Sequence, residues 1–186
     1  MIKSKDRSYY IGASDTQFIV GNWETVTFAK WYGTKQGIYS SDFSNDAMMA
    51  GTYYEHSILK ALNITSLETD KQIINGRLRV NLDGNTINRI YEVKTYGKGT
   101  YKPIKNHIQQ VNVQMYGANI FEAFIVSYLL EEYDYINFFN EIDLNRLSLH
   151  EIAYDKEFIE TIYLPRFDYL SFCLDKGIFP KIEGLK

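Results

Sequence analysis

Cysteine is almost absent from this chain, because Cys173 is the only one among 186 residues. An internal disulfide and a cysteine-rich zinc or iron–sulfur site are therefore excluded. Histidine is also scarce, since the three histidines form neither an H-x-H nor an H-x3-H pair. A histidine metal site is not indicated either.

Long apolar runs, linkers and repeats are missing as well. The chain has no run of 18 apolar residues, and its first seven residues lack an apolar signal core, so we expect a cytoplasmic protein with no membrane partner. It is 45% hydrophobic, and no Pro/Gly/Ser-rich stretch or internal repeat divides it. We therefore predict a single domain over residues 1–186.

The charge distribution is more informative than the net charge. With 20 Lys and Arg against 23 Asp and Glu, the formal charge of −3 argues at first sight against nucleic-acid binding. Residues 94–105, however, contain four lysines and two tyrosines but no acidic residue. Such a segment can follow a nucleic-acid backbone and stack on bases, although a merely solvated loop remains the alternative.

Two carboxylates and an amine, those of Asp83, Glu92 and Lys94, follow one another within twelve residues in the middle of the chain. Residues 77–82 alternate between apolar and polar, so Asp83 is predicted to end a half-buried strand, after which Asp83-Gly84-Asn85 turns the chain. In the next predicted strand, residues 87–95, Glu92 and Lys94 share one face roughly 6–7 Å apart. Both side chains can then reach one phosphate.

This set matches the needs of metal-dependent phosphodiester hydrolysis. A divalent ion held by carboxylate oxygens offsets the phosphate charge, orients water and lowers its pKa. Asp83 and Glu92 would hold the ion, the Val93 carbonyl could add a third oxygen, and Lys94 could position the attacking water or stabilise developing charge. The alternative is an ordinary Asp-Gly hairpin with a solvated Glu-x-Lys face.

Two predicted helices offer further polar groups. Glu55 lies on the apolar side of a helix over residues 45–62, where a metal, directly or through a water, or an ion pair would satisfy it. In the helix that follows residue 104, Gln110 and Gln114 run beside an apolar stripe. For His107, in the same polar row, we favour a simple helix edge.

Four motifs in order resemble the PD-(D/E)XK nuclease superfamily, and within it the viral recombination exonucleases of the lambda exonuclease or YqaJ type. They cover roughly residues 7 to 130, and the departures from the family are a short chain and Asn112 where a second Gln is common. The motifs are Arg7 with Ile11-Gly12-Ala13-Ser14-Asp15, Gly51-Thr52-Tyr53-Tyr54-Glu55, Asp83-Gly84 with Glu92-Val93-Lys94, and Gln110-Val111-Asn112-Val113-Gln114-Met115.

The resemblance implies an α/β fold with a restriction-endonuclease-like core, in which a mixed central sheet is flanked by helices. The apolar run at residues 121–130 suits a strand buried on both faces. We expect a C-terminal edge strand and helix within residues 147–178, with a break in the helix at Pro165.

The resemblance also implies a Mg2+-dependent exonuclease, with Mn2+ as a substitute, that degrades linear duplex DNA 5′-to-3′ in phage-type recombination. A single-strand annealing protein and a ring-like trimer are the implied partners. An endonuclease of restriction or junction type and a non-catalytic DNA-binding or inhibitory module are the alternatives. The residues implied for catalysis are Asp83, Glu92, Lys94, Glu55 and Gln110, where Gln110 would bind the nucleophilic water or a phosphate oxygen, and those implied for the 5′-phosphate are Arg7 and Ser14. The charge distribution adds Lys98, Lys102 and Lys105 as candidates for contact with the DNA backbone.

Overall fold

A computed structural model describes residues 8–39, 46–137 and 140–181 of the chain. Within these residues six strands form one mixed sheet in the order β1-β3-β4-β5-β6, with β2 paired to β3. The predicted α/β class is confirmed. The strands are β1 (Ile11–Gly12), β2 (Glu68–Asn75), β3 (Leu78–Asn85), β4 (Arg89–Tyr96), β5 (Glu122–Leu129) and β6 (Leu147–Ile152).

Helices flank this sheet and supply its two apolar layers. They are α1 (Thr16–Val20), α2 (Val26–Lys35), α3 (Asp46–Ala61), α4 (Lys105–Ala118) and α5 (Leu164–Lys176). Ile19, Phe28, Val111 and Leu170 of the other four helices belong to one buried cluster, whereas Ile58 of α3 belongs to a second. Among the helices of the described ranges, none is long and apolar enough to cross a membrane.

The pairing of β3 creates a fork in the sheet. β2 pairs with β3 from one end to the other except at Asp70, so the remaining partners of β3 must use its other edge. There β1 pairs with Leu78 and Arg79, and β4 pairs only with Gly84 and Asn85. Strands β3 and β4 therefore meet at one end and separate along residues 80–83, which leaves space for side chains between them.

Strand β5 is the centre of the other half of the sheet. It runs parallel to β4 through eight residue pairs, and the connection between them contains α4, as a parallel crossover requires. Ala123 and Ile125 of β5 enter one buried cluster, while Val126 and Tyr128 enter the other. The prediction of a strand buried on both faces is confirmed, and β6 pairs with β5 at the edge of the sheet as expected.

The predicted turn at Asp83-Gly84-Asn85 is wrong. Strand β3 continues through these residues to Asn85, and β4 begins at Arg89. Gly84 serves a close approach instead, because a Cβ atom at this position would lie 2.8 Å from Cδ2 of Leu59 on α3. The Asp-Gly pair, which is typical of a hairpin turn, thus serves close packing between a helix and the sheet here.

The predicted helix break at Pro165 is also wrong. A π-helical turn over Phe158–Tyr163 leads directly into α5, in which proline occupies one of the first two positions. Proline has no N–H to donate and its ring crowds the preceding turn, and a wider π-helical turn relieves both problems. The helical segment therefore passes through Pro165 without ending.

Replacing Gly117 by alanine tests the contact between α4 and the sheet. A Cβ atom there would lie 2.5 Å from Cγ2 of Val80, a stiff and buried side chain. We expect Gly117→Ala to lower the free energy of unfolding by about 1–3 kcal/mol in denaturant titrations. Gly51→Ala in α3 is the matched control, since its Cβ would meet only Oγ1 of Thr95 at 3.3 Å. An equal effect at both positions would contradict this packing argument.

Candidate active site

Asp83 lies where β3 and β4 separate. Its Oδ2 accepts a hydrogen bond of 2.8 Å from the backbone N–H of Val93 on β4. In the fork this N–H has no backbone carbonyl of β3 to bond with, because the pairing of the two strands ends at Gly84 and Tyr91. The half-buried carboxylate thus replaces the missing strand contact and is held beside the next residue, Glu92.

Glu92 is the most enclosed carboxylate of the fork, with 3% of its surface exposed. Its Oε1 accepts hydrogen bonds of 2.6 Å from Nζ of Lys94 and from Nε2 of Gln110, and its Oε2 accepts one of 2.6 Å from Nε2 of Gln114. Lys94 also donates to Oε1 of Gln110 at 3.3 Å. The structure therefore brings together three of the sequence-predicted residues, Glu92, Lys94 and Gln110.

Local periodicity explains this meeting. Residues 92 and 94 share a face of β4, and residues 110 and 114 are one turn apart on α4. Gln114 also donates to the backbone carbonyl of Asn81 at 3.1 Å, so α4 contacts both arms of the fork. Gln114 is fully buried and binds Glu92 directly, which the sequence analysis did not predict because it placed this residue only beside an apolar stripe.

Glu55 faces the fork from α3 on the other side of the sheet. Its half-buried carboxylate has no hydrogen bond or ion pair with any other residue in the described ranges. Burial and the charge of Glu92 raise the pKa of Glu55. Burial, and then the charges of Glu92 and Glu55, hold the pKa of Asp83 well above its ordinary value. The three carboxylates thus repel one another within one site.

Lys94 is the cation that these carboxylates share. Burial alone would lower the pKa of its ammonium group, but the charges of Glu92, Asp83 and Glu55 outweigh burial and raise it. Lys94 is therefore protonated at neutral pH and acts as a charged hydrogen-bond donor.

The site as a whole has the chemistry of a divalent-cation site. Three carboxylates face one ammonium group, so negative charge is in excess, and carboxylate oxygens are the ligands that Mg2+ and Mn2+ prefer. The predicted use of the Val93 carbonyl as a ligand stays a prediction.

A second group of possible ligands adjoins Glu55. One ligand atom each of Glu55, His56 and Asp70 lies within 4.8 Å of the others. Asp70 stands opposite Asp83, where the pairing of β2 and β3 is interrupted, and has a left-handed backbone with φ of 57°. The sequence analysis missed Asp70, since only the strand register brings it close to the site.

The N-terminal motif is organised by the side chain of Asp15. Asp15 occupies the N-cap position of α1 without a capping bond. Its carboxylate instead accepts from the Gly12 backbone N–H, from Nε1 of Trp31 and from Nζ of Lys35, at 2.8–2.9 Å. Ser14 is exposed, and Arg7 lies outside the described residues.

Arg79 is a further residue that the sequence analysis missed. It pairs with Gly12 across β1 and β3, two residues from Ser14, and its guanidinium lies over the ring of Tyr10 at 5.9 Å. Its Nε and Nη1 are buried and have no hydrogen-bond partner within residues 8–39, 46–137 and 140–181. A guanidinium with two such nitrogens is suited to an anion.

The basic segment after β4 projects its charges outward. Lys98, Lys102 and Lys105 are exposed, so the structure does not bring them into contact with the carboxylates. Tyr101 is half-buried, with its ring centroid 5.2 Å from that of His150 and its hydroxyl bonded to His107. This tyrosine is therefore a fixed contact rather than the open stacking surface that we expected.

Comparisons with known proteins agree with the fold. No protein-family model matches the chain, and no curated protein matches it. The fold is similar to that of an alkaline exonuclease (LHK-Exo) from Laribacter hongkongensis, with a TM-score of 0.68 and 16% identity over 93% of each chain. A structure of LHK-Exo in complex with dAMP gives a TM-score of 0.66 at 17% identity, covering 94% of this chain and 93% of that one.

A phage-related exonuclease from Haemophilus somnus 129PT is also similar, with a TM-score of 0.62 and 16% identity over 93% of this chain and 97% of that one. These likenesses show that the chain has the fold of exonucleases, the fold that its resemblance to the lambda exonuclease and YqaJ type predicted.

The repulsion between the carboxylates has a consequence for stability. The pKa of Asp83 is raised in the folded state. At pH values between the ordinary and the raised pKa, the folded protein therefore binds more protons than the unfolded chain. Stability without metal should therefore fall as pH rises through this interval. Asp83→Asn keeps an oxygen that can accept from Val93 and removes the charge.

In chelator at pH 8 we expect Asp83→Asn to melt at a higher temperature than the wild type, by about 2–4 °C for each kcal/mol of repulsion removed. The difference should disappear toward pH 4. The control is Glu151→Gln at an exposed position of β6. A lower melting temperature for Asp83→Asn at pH 8 would show that the carboxylate stabilises the metal-free fold.

Proposed function

We propose that this protein is a divalent-metal-dependent exonuclease that degrades linear duplex DNA from its ends. The observation that carries the proposal is the convergence of Asp83, Glu92, Lys94 and Gln110 at the fork, with Glu55 close enough to raise the pKa of Asp83. The same fold is found in the two exonucleases described above, one of which forms a complex with dAMP.

The residues of the fork fit a divalent cation. Asp83 and Glu92 would hold it, with the Val93 carbonyl and Glu55, directly or through a water, as further oxygen ligands. When bound, Mg2+ or Mn2+ supplies Lewis-acid activation of the water and of the phosphate. The mutual repulsion of three carboxylates is the observation that favours a cation here, because a cation would remove it.

The remaining side chains bind and orient the phosphate and the water. Lys94 is fixed by Glu92 and Gln110 and stays protonated, so it can donate to a phosphate oxygen on which negative charge develops. Gln110 can offer a hydrogen bond to the attacking water or to a phosphate oxygen. In the hydrolysis the water oxygen forms a bond to phosphorus, the P–O bond to the leaving sugar oxygen breaks, that oxygen takes up a proton, and the terminal nucleotide is released.

The path of the DNA is proposed from the charges around the fork. Lys98, Lys102 and Lys105 would contact the backbone, and Ser14 and Arg7 would bind a 5′-phosphate, with the unpartnered guanidinium of Arg79 as a further donor near Ser14. The 5′-to-3′ direction, an annealing partner for the remaining strand, a role in phage-type recombination and a ring-like trimer complete the proposal and come from the family resemblance.

Metal-dependent cleavage is the first test. On end-labelled linear duplex with Mg2+ we expect the wild type to release nucleotides and EDTA to stop it. Asp83→Asn and Glu92→Gln should abolish cleavage, because the ion loses a ligand, whereas Lys94→Ala should lower the rate about 100- to 1,000-fold while metal binding persists.

Calorimetric titration with Mn2+ distinguishes variants that lose the metal from a variant that keeps it. Lys156→Ala, which removes an exposed lysine after β6, is the control for loss of charge. Full activity of the wild type in EDTA, or of Glu92→Gln in Mg2+, would contradict the assignment of the site.

Recognition of the DNA end is the second test. We expect a linear duplex with a 5′-phosphate to be degraded faster than one with a 5′-hydroxyl, because the phosphate adds charge-assisted hydrogen bonds. Arg7→Ala should abolish this preference, and Ser14→Ala should reduce it. Equal rates on both ends, or efficient cutting of closed circular DNA, would instead support an endonuclease.

A further inference from the structure

The polar row of α4 has a third member that the proposed mechanism does not use. Gln110 and Gln114 both bind Glu92, and His107 lies one turn before Gln110 on the same side of the helix. The charges of Lys94 and Glu92 both act on its half-buried imidazole, which places His107 beside the fork. The exposed lysines of the basic segment, Lys98, Lys102 and Lys105, precede it in sequence.

Tyr101 holds this imidazole in one orientation. The Tyr101 hydroxyl lies 2.6 Å from Nδ1 of His107, and the two ring planes differ by 8°. Contacts with the rings of Tyr96 and His150, at centroid distances of 5.5 and 5.2 Å, fix Tyr101 in turn. The imidazole is therefore held from the Nδ1 side.

The hydrogen-bond balance then locates the proton of His107. In the described ranges the phenolic hydrogen of Tyr101 has one acceptor, Nδ1 of His107. If Nδ1 accepts, the neutral imidazole must carry its proton on Nε2. Burial and the charge of Lys94 lower the pKa of His107, and burial and Glu92 raise the pKa of Tyr101 to about 12, so both groups are neutral at pH 7.

The geometry points to a phosphate-binding role: we propose that His107 donates a hydrogen bond from Nε2–H to a backbone phosphate of the DNA as it leaves the fork, with Tyr101 fixing the tautomer. The inference deepens the proposed function and rests on it. Nε2 of His107 has no acceptor among the residues that the structure describes, and the exposed Lys98, Lys102 and Lys105 lie in the segment that contains Tyr101. An anionic acceptor suits such a donor.

The tautomer is measured first, without DNA or metal. In long-range nitrogen–proton NMR spectra of the full-length protein labelled at histidine, we expect Nδ1 of His107 to have the shift of an unprotonated nitrogen and Nε2 that of a protonated one. Tyr101→Phe removes the donor and should give a mixture of tautomers. A protonated Nδ1 in the wild type would overturn the proposal.

The contact with DNA is measured by steady-state kinetics on linear duplex with Mg2+. His107→Ala should raise KM roughly three- to tenfold, the effect of one lost hydrogen bond, with a smaller change in kcat. His107→Gln should restore most of the loss, because its Nε2 can donate from nearly the same place. Gln109→Ala on the same helix is the control.

The salt dependence of KM distinguishes this contact from those of the lysines. A neutral donor displaces no counterion, so the salt slope of His107→Ala should equal that of the wild type, whereas Lys102→Ala should reduce the slope by about one. If the wild type cleaves DNA and His107→Ala has an unchanged KM, this inference alone is wrong. No cleavage by the wild type would overturn the proposed function and this inference with it.

Discussion

Glu92 is a buried carboxylate on which the position of α4 and the shape of the fork depend. Burying this charge is costly unless donors surround it, and Lys94, Gln110 and Gln114 supply three bonds of 2.6 Å. Two of these donors come from one helix, so satisfying Glu92 fixes the rotation of α4 against the sheet. The apolar stripe of α4, with Val111 and Met115 fully buried, then packs on β3 in the same orientation.

The arrangement on the other side of Glu92 is unfavourable to the metal-free fold. Asp83 and Glu55 gain no comparable set of donors, and their pKa values rise because burial and neighbouring carboxylates oppose ionisation. The repulsion between these carboxylates therefore destabilises the metal-free folded state, and such local destabilisation is common at functional sites. The fold tolerates this cost because two apolar clusters, one on each face of the sheet, stabilise it.

Features that depend on local periodicity could be predicted from the sequence, whereas those that depend on strand register could not. The two-residue period of β4 placed Glu92 beside Lys94, and the helical period placed Gln110 and Gln114 together. Asp70 and Arg79 come close to the site only through the register of β3 with its neighbouring strands. Tyr101 meets His107 only through the path of the loop that leads into α4. Helix geometry also places Asn112, the departure from the family motif, away from the fork. It faces residues 153–155, where it accepts from the Asp155 N–H.

The charge of the fork bears on the order in which the proposed ligands would bind. Three carboxylates against Lys94 leave the metal-free site with an excess of two negative charges when all are ionised, and a phosphodiester would be repelled from it. One divalent cation would neutralise that excess, after which Lys94 would be free to attract the DNA backbone. A formal charge of −3 is therefore compatible with the proposed function, because local charge rather than net charge determines the attraction. In the proposed function, binding of the cation precedes or accompanies productive binding of DNA.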